Sequence, residues 1–272
     1  MNNNADKKNN KVKLVKSVAR TIDLLTLFVR SSRYLSLQDI CTMMKLPKSS
    51  AFELVQTMLF KGIIEIKDTN KRLYGLSMLA FEIGSSVIAR LGVTDVARPY
   101  IQDLNRSTGG TVFLGVEDHG SIVYIDRAED HSEEKAMACP GNRRYLHTTG
   151  LGKALLYAHS NDVMLTLLGP EPYPFNTALS HTSSVEILMD AKVSRERGYV
   201  VDDREDAVNM FCIGSAIRNQ EGKPVASVSV ASLYTQMNDK KKEMIARQVM
   251  DTAMEISRKL GFSGSRIYSE NL

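Results

Sequence analysis

The chain has 272 residues, of which 43% are hydrophobic and 24% charged, and its formal net charge is +4. This length allows two domains with a substantial core. No apolar run approaches the roughly 18 residues of a membrane span, and the polar start MNNNADKKNNKVK lacks the hydrophobic segment of a signal peptide. We therefore expect a cytoplasmic protein with no membrane partner. The three cysteines, Cys41, Cys139 and Cys212, are too few and too widely spaced for a disulfide scaffold or a closed zinc site.

Charge is unevenly distributed along the chain. Residues 1–93 contain 15 Lys and Arg against 7 Asp and Glu, whereas residues 94–272 contain 20 against 24. A basic N-terminal third joined to a mildly acidic remainder is typical of a polyanion-binding module attached to a second domain. A basic surface that only increases solubility is the alternative explanation.

The first part of the chain predicts a tail and a helix. Residues 1–13 are rich in Asn and Lys and lack hydrophobic periodicity, which predicts a disordered tail. Residues 17–29 predict a helix, because Val18, Ile22 and Leu25 recur at helical spacing.

The sequence SLQDICTMMKLPKSSAFELVQTMLFKGIIE, residues 36–65, predicts a helix-turn-helix. Its first helix carries one apolar stripe, and Ser36 followed by Asp39 forms a weak version of a capping box. A short turn at Lys45-Leu46 follows. Pro47 then suits the first turn of the second helix, where its missing N–H costs nothing.

The outward face of this second helix is short, polar and mostly uncharged. It carries Lys48, Ser49, Phe52, Glu53 and Gln56. Hydroxyl and amide groups can contact base edges and phosphates, and an aromatic ring can contact a thymine methyl group, so the face suits the DNA major groove. An ordinary solvated helix face is the alternative, and this helix alone does not decide between the two.

The segment IIEIKDTNKRLYGL predicts a two-stranded hairpin with a basic tip. Three helices followed by such a hairpin form a winged helix-turn-helix, here residues 14–75. Lys67, Lys71 and Arg72 are then expected on the wing beside the DNA backbone. Residues 76–92 predict an apolar linker helix, which we expect to pack on the first helix of a partner subunit or on the second domain.

Residues 93–265 predict a second domain of the α+β class. Helical segments flank β-rich runs, the clearest of them at residues 111–116, 121–126, 211–217 and 225–233, and a long final helix follows. This pattern predicts two helical layers around an antiparallel sheet. Residues 266–272 are expected to form a C-terminal tail.

Two stretches of this domain predict ligand contacts. In HTTGLGKALL, residues 147–156, two glycines precede a helix and leave its first N–H groups open to an anion. A tight turn that only permits close packing is the alternative, and the pattern does not match a P-loop. In residues 200–217 an acidic cluster precedes an apolar strand that contains Cys212. Such a cluster is either a solvated loop or the polar mouth of a pocket.

Catalytic motifs do not occur in the sequence. It contains no G-x-S-x-G elbow, and its five histidines show no metal-binding spacing. Cys212 lies in an apolar strand, where a thiol is usually inert. We therefore expect neither an enzyme nor a metal site, and no cofactor.

Three segments, taken together, resemble the isocitrate lyase regulator (IclR) family of bacterial transcription factors. They are LPKSSAFELVQTM, LHTTGLGKALL and RGYVVDDREDAVNMFCIGSAIRNQEGKPVASVSV, and the resemblance covers nearly the whole chain after residue 14. It implies an N-terminal winged helix-turn-helix, a linker helix and a C-terminal effector domain of GAF-like architecture. The resemblance further implies dimers or tetramers that bind palindromic operators. Their effectors are small organic acids or aromatic and sugar-derived metabolites.

The resemblance also implies site residues. On the recognition helix it selects Lys48, Ser49, Ser50, Phe52 and Gln56. In the effector pocket it selects Gly150, Leu151, Asp202, Cys212 and Ser229.

Several positions depart from the family pattern. Glu53 stands where the family commonly has Arg, so it either turns toward a neighbouring lysine or accepts a hydrogen bond from a cytosine amino group. Lys45 replaces a frequent turn glycine. Arg144, Asn209 and Ala231 differ from the usual residues around the pocket, so the resemblance does not identify the effector. If Arg144 faces the pocket it favours a carboxylate or phosphate, whereas an Arg144 turned to solvent has no such role.

These features predict a sequence-specific transcriptional regulator, with repression favoured over activation. We expect a homo-oligomer on an inverted-repeat operator in double-stranded DNA, controlled by an organic or sugar acid. The alternative is a metabolite-binding or catalytic domain whose N-terminal module serves protein association. The basic N-terminal third and the basic wing favour DNA.

Overall fold

The computed structural model describes residues 14–68, 70–129 and 138–268. The chain divides into an N-terminal unit, residues 1–87, and a C-terminal unit, residues 88–272. The disordered tail predicted for residues 1–13 lies outside the described residues.

The described N-terminal unit contains helices followed by a hairpin, in the order that the sequence predicts. Its elements are α1 (Lys16–Arg30), α2 (Leu37–Met44), α3 (Lys48–Phe60), β1 (Ile64–Asp68) and β2 (Leu73–Leu76), with α4 (Met78–Leu91) crossing into the next unit. Its core consists of Leu24, Phe28, Leu35, Ile40, Ala51, Val55, Met58, Ile64 and Tyr74. Helices α1 to α3 and the hairpin together form a winged helix-turn-helix.

Local sequence signals set the ends of the two central helices. The Ser36 hydroxyl accepts the Asp39 N–H, and the Asp39 carboxylate accepts the Ser36 N–H, so the predicted capping box is complete. Lys45 ends α2 in the left-handed conformation, with φ of 53°. Pro47 is the N-cap of α3, one position earlier than the first turn predicted for it, because its ψ of 145° is extended.

Two helices of the N-terminal unit also carry apolar faces outside its core. Val18 and Ile22 of α1 are 58% and 56% exposed, although the sequence pattern groups them with the core residues of this helix. The core side of α1 is instead formed by Leu24 and Phe28. On α4, Phe81 is 64% exposed. Within one chain these faces remain uncovered by the described residues.

The C-terminal unit is an α+β domain built on an antiparallel sheet. Within the described residues the sheet has six strands in the order β5-β4-β3-β8-β7-β6. The strands are β3 (Thr111–Asp118), β4 (Ser121–Ala128), β5 (Arg143–Tyr145), β6 (Val200–Asp203), β7 (Met210–Arg218) and β8 (Pro224–Leu233). The helices are α5 (Val93–Thr108), α6 (Gly150–Tyr157), α7 (Asn161–Leu168), α8 (Ser184–Arg197) and α9 (Asp239–Lys259).

Helices cover both faces of the sheet, as the sequence predicts. Alternation along β7 shows the two sides: Phe211 and Ile213 pack with α5 and α9, whereas Cys212 and Ala216 pack with α6 and α8. The chain continues into the core past the end expected at residue 265. Tyr268 is buried, and its hydroxyl accepts the Ala216 N–H and donates to the Ala154 carbonyl.

The start of α6 is packed closely enough to require glycine. The Thr149 hydroxyl caps the helix by accepting the Gly152 N–H at 2.9 Å. A Cβ on Gly152 would lie 2.7 Å from the Leu146 Cα and still closer to the Leu146 carbonyl oxygen. A Cβ on Gly150 would lie 2.9 Å from the Cys212 Cβ. Gly150 thus brings the first turn of α6 directly onto β7, and Gly152 lets this turn pack on the segment that precedes it.

Gly152→Ala is expected to destabilise the C-terminal unit, because the added methyl group meets backbone that cannot move away. The expected loss is roughly 1–3 kcal/mol. The matched control is Gly84→Ala in α4, where a Cβ meets nothing within 4 Å. That change should stabilise its helix by about 0.5–1 kcal/mol. Scanning calorimetry of both variants measures the effect, and a Gly152→Ala protein as stable as the wild type would contradict this packing.

Candidate functional site

The outward face of α3 is free to contact a ligand. Lys48, Ser49, Glu53 and Gln56 are exposed, Phe52 is 44% exposed, and Ser50 is half-buried at the first turn. The opposite face packs into the core of the unit through Ala51, Val55 and Met58. The helix is therefore held by one side and presents the predicted polar set on the other.

Glu53 has no lysine partner in the described part of the chain. Its side chain is exposed, and only its backbone carbonyl is engaged, by the Thr57 hydroxyl at 2.8 Å. Of the two orientations expected from the sequence, the turn toward a lysine is therefore not the one seen.

The three predicted wing residues differ in whether their charge is already paired. Lys67 pairs with Glu65 and lies over the Tyr34 ring, so part of its charge is already compensated. Lys71 and Arg72 are exposed at the hairpin turn, and among residues 14–68 and 70–129 neither side chain forms an ion pair. The Asp68 carboxylate shapes this turn by accepting the N–H groups of Asn70 and Lys71. Lys71 and Arg72 are thus the available cations of the wing.

A cavity of about 240 Å³ lies in the C-terminal unit, on the side of the sheet covered by α6. Residues from every strand of the sheet contribute to it, together with the first turn of α6 and the loop after β6. Its lining comprises Phe113, Tyr124, Ala138, Arg144, Thr149, Gly150, Asp202, Asp206, Ala207, Asn209, Met210, Cys212, Ser229 and Ala231.

Most of the residues predicted for an effector pocket meet in this cavity. Arg144, Gly150, Asp202, Cys212 and Ser229 all line it, although their positions in the sequence are far apart.

Leu151 does not line the cavity. Its side chain is 1% exposed and packs in the core, with its Cδ1 beside Gly115 and Ile122. The reason is helical geometry: the residue after Gly150 points about 100° further around α6, which turns the Leu151 side chain onto β3 and β4 beside the cavity.

Sequence reasoning missed the aromatic wall of the cavity. Phe113 and Tyr124 stand edge to face with ring centroids 5.1 Å apart. Alternation along β3 and β4 predicts that these side chains share a face, but not that this face borders a cavity. Asn209 and Ala231, noted in the sequence only as departures from a family pattern, also line it.

The acidic side of the cavity is buried and tightly bonded. Asp202 is 1% exposed, and its Oδ1 accepts the N–H groups of Glu205 at 2.8 Å and Asp206 at 3.3 Å. Burial, reinforced by the negative charge of Glu205, raises the pKa of Asp202 to about 7. Asp202 therefore changes its protonation state near neutral pH.

Behind this wall a buried ammonium group joins three elements. Lys153 of α6 is 1% exposed, and its Nζ lies 2.5 Å from Glu205, 2.7 Å from Asp190 of α8 and 2.7 Å from the Val201 carbonyl. Burial opposes ionisation of Asp190, but Lys153 lowers its pKa overall. Strand β6, which carries Asp202, and the helix that carries Gly150 are thus fixed to each other.

Burial also keeps two other groups in the cavity neutral. It raises the pKa of the Cys212 thiol well above its usual range, and the charge of Asp202 adds to the effect. It raises the pKa of the Tyr124 phenol as well. A neutral thiol is a poor nucleophile, whereas a neutral phenol is a good hydrogen-bond donor. The arrangement suits recognition of a ligand.

Metal-ligand groups and membrane-spanning helices are both absent from the described residues. Among them, no three His, Cys, Asp or Glu side chains are grouped so as to hold a metal ion. Of the helices described, none is both long and apolar enough to cross a membrane.

A winged helix-turn-helix joined to an α+β domain with an internal polar cavity defines a class of protein: the ligand-responsive DNA-binding transcriptional regulators. Family models agree with this class along most of the chain. The model of the IclR helix-turn-helix domain matches residues 17–66, and that of the bacterial transcriptional regulator IclR C-terminal domain matches residues 85–258. The chain belongs to the IclR family of bacterial transcriptional regulators.

Individual relatives are similar over nearly the whole chain. The transcriptional regulator XynR of Escherichia coli is 30% identical over 92% of this chain and 98% of its own length. The transcriptional repressor AllR of Escherichia coli is 28% identical over 90% of each chain.

Solved structures show the same fold. The IclR of Thermotoga maritima superposes with a TM-score of 0.78, at 27% identity, over 91% of this chain and 99% of that one. An IclR homologue of Microbacterium hydrocarbonoxydans, in complex with 4-hydroxybenzoate, superposes with a TM-score of 0.75, at 21% identity, over 90% of this chain and 98% of that one. The predicted fold class and family are confirmed.

Asp202→Asn tests the burial of this carboxyl group. Because the folded-state pKa is raised to about 7 from a usual value of 3.8, protonated Asp202 is favoured by folding, and this stability is lost as pH rises toward 7. The amide cannot ionise. Between pH 5 and 8 the free energy of unfolding of the variant should therefore rise relative to that of the wild type, by up to about 3 kcal/mol. Thermal unfolding of the C-terminal unit across this pH range measures the difference.

The adjacent Asp203 provides the control for this experiment. It is half-exposed and paired with Arg204 at 2.7 Å, so Asp203→Asn should follow the wild-type pH curve. Parallel curves for Asp202→Asn and the wild type would show that Asp202 does not titrate near neutrality.

Proposed function

We propose that the protein is a repressor that binds an inverted-repeat operator and releases it when a small acid occupies the cavity of the C-terminal unit. The observation that carries this proposal is the meeting of Arg144, Gly150, Asp202, Cys212 and Ser229 in one cavity, in a chain that also presents an unpaired polar recognition face. AllR, a relative, is named a repressor, which favours repression over activation.

On the DNA side, α3 enters the major groove. Its N-terminal residues Lys48, Ser49 and Ser50 contact phosphates, where the N–H groups of the first turn favour negative charge. Gln56, Glu53 and Phe52 face the base edges one and two turns further along. Lys71 and Arg72 contact the backbone from the wing.

Homo-oligomerisation follows from the uncovered apolar faces of the N-terminal unit. Val18 and Ile22 of α1, and Phe81 of α4, are more than half exposed in one chain. Covering them with a second copy removes this apolar surface from water. Two-fold symmetry then presents two recognition helices to half-sites about 34 Å apart, one turn of DNA, or a multiple of it. We expect the protein to act in the cytoplasm, where its operator lies.

The effector is proposed to be an organic or sugar acid. The Microbacterium homologue binds 4-hydroxybenzoate, an organic acid. In this chain Arg144 supplies a cation to the cavity, which favours a carboxylate or phosphate group. Its binding favours one of two dimer geometries and so changes affinity for the operator.

Selection of genomic fragments by the purified protein tests this function. We expect one inverted-repeat sequence to be enriched, with binding that weakens steeply as salt rises. Enrichment of no sequence would favour the alternative, in which the N-terminal module serves protein association.

Gln56→Ala should relax the choice of one base pair in the selected operator. If the amide reads a base edge, the loss of discrimination is about 1–3 kcal/mol at that position. Gln38→Ala is the matched control, because Gln38 is an exposed glutamine on α2, outside the predicted reading set. An operator sequence that Gln56→Ala selects unchanged would remove Gln56 from the base-reading residues.

Lys71→Ala should instead weaken binding to every DNA sequence. Loss of one phosphate contact lowers the slope of log affinity against log salt by about 0.9. Lys61→Ala, the same change at the exposed C-cap of α3, is the control. Fluorescence anisotropy at several salt concentrations gives both slopes, and equal slopes for wild type and Lys71→Ala would place the wing away from DNA.

A further inference from the structure

A second cavity lies in the C-terminal unit, on the side of the sheet covered by α9. Its volume is about 430 Å³, and it shares no lining residue with the cavity that contains Arg144. The end of α8, strand β7, helix α9 and the segment that follows α9 form its walls. We call it the arginine cavity, because its lining includes Arg195, Arg197, Arg258 and Arg266.

Helix α9 contributes one row of side chains to the arginine cavity. Met250, Met254 and Arg258 follow each other at intervals of four residues and therefore lie on one face of the helix. The two methionines are half-buried and form an apolar wall, and Arg258 is exposed beyond them. The Arg258 guanidinium lies 3.8 Å from the Glu255 carboxylate, which is too far for a hydrogen bond. Its N–H groups are therefore open to a ligand.

Arg197 is held in place at the end of α8 by neutral groups. Its Nε donates to the Tyr199 carbonyl at 2.7 Å and its Nη2 to the Ser194 hydroxyl at 3.0 Å. Its guanidinium also lies over the Tyr199 ring, 4.9 Å from the centroid. Among the described residues no carboxylate forms an ion pair with Arg197, and its Nη1 takes part in none of these bonds. A preorganised cation with open N–H groups thus borders the cavity.

A buried hydroxyl group in the lining has no partner. Ser215 lies on β7, on the same side as Ile213 of the core that packs on α9. It is 0% exposed, and its Oγ has no hydrogen-bond partner among the described residues. The Tyr268 hydroxyl beside it is already engaged, since it accepts the Ala216 N–H and donates to the Ala154 carbonyl. An acceptor bound in the cavity would satisfy the Ser215 hydroxyl.

The charge of the lining favours an anion. Two acidic residues, Glu196 and Asp251, line the cavity together with the four arginines, so the formal charge of the lining is +2. Both acidic side chains are exposed, and solvent and salt therefore screen them. The matching ligand carries two negative charges.

We propose that the arginine cavity is a second ligand site, which binds phosphate monoesters. The phosphate group lies between Arg197, Arg258 and the Ser215 hydroxyl, and its three terminal oxygens accept hydrogen bonds from all three. The body of the ester packs on Met250 and Met254. A carboxylate has one charge and two oxygens, so it cannot engage the same three donors as well. This site is separate from the cavity that contains Arg144 and does not depend on the role proposed for that cavity.

Isothermal titration calorimetry of the full-length protein with phenyl phosphate tests the site. Phenyl sulfate is the matched ligand, because it has the same shape but one negative charge, whereas phenyl phosphate at pH 8 has nearly two. In a chloride buffer we expect phenyl sulfate to bind about tenfold more weakly. Inorganic phosphate should also bind about tenfold more weakly, because it lacks the apolar group that contacts the methionines. Equal affinity for phenyl phosphate and phenyl sulfate would overturn the proposal.

Three variants locate the binding of phenyl phosphate. Arg197→Gln and Arg258→Gln should each weaken it about tenfold, since each removes a charge-assisted hydrogen bond. Ser215→Ala should weaken it about fivefold. Arg258 is exposed and Ser215 forms no hydrogen bond among the described residues, so neither of these two changes removes a contact that holds the fold. Unchanged affinity in both would contradict the proposed site.

Two other arginines serve as controls. Arg247 lies on α9 outside the arginine cavity and pairs with Glu243 at 2.9 Å, so Arg247→Gln should bind phenyl phosphate like the wild type. Arg144→Ala removes the cation of the other cavity and should also leave the affinity unchanged. Loss of binding in Arg144→Ala would assign the ligand to the other cavity, and equal weakening in Arg247→Gln and Arg258→Gln would show a general effect of charge. Either result would overturn the proposal.

Discussion

The candidate effector site depends on one buried ion group, the Lys153 ammonium held between Asp190, Glu205 and the Val201 carbonyl. An unpaired buried ammonium costs several kcal/mol, so α6, α8 and the loop after β6 must keep these three acceptors in place. The first turn of α6 and that loop both line the cavity. The spacing of the site is therefore fixed by a contact that lies behind it and does not touch the ligand space. The same contact directs the Lys153 ammonium to Asp190 and Glu205, so no cation among the described residues contacts Asp202.

Signals that act over a few residues were readable from the sequence. The Ser36–Asp39 capping box, the break between α2 and α3 and the outward polar face of α3 each depend on neighbours within one or two turns. The sequence did not show which apolar faces pack within the chain and which stay exposed. Val18 and Ile22 continue a helical stripe, but periodicity cannot distinguish a face that packs within the chain from one that stays exposed in it.

The cavity shows where sequence reasoning needs the fold. Four of the five residues that the family resemblance implies meet there, and Arg144, which departs from the family pattern, lines the cavity as well. Tyr124 was missed because its role depends on the strand order. Sequence alternation assigns Tyr124 to a face, but only the adjacency of β5 and β4 brings Arg144 beside it. Leu151 was expected in the pocket but does not line the cavity, because the helix rotation of one residue takes its side chain into the core. The role of Lys153 was not predicted, because a lysine in an apolar helix does not indicate which distant residues it contacts.

Glu53 of α3 and Asp202 of the cavity are alike in their charge environment. The Glu53 carboxylate lies on the outward face of α3, and the Asp202 carboxyl group lies on the acidic side of the cavity. Neither has a cation partner among the described residues. Such a group is unfavourable toward a negatively charged ligand unless that ligand offers a donor at the same point. In the proposed complex with DNA, the donor for Glu53 is the amino group of a cytosine, whereas repulsion from the phosphates is the same for every sequence. In the proposed function both carboxylates therefore disfavour ligands that lack such a donor.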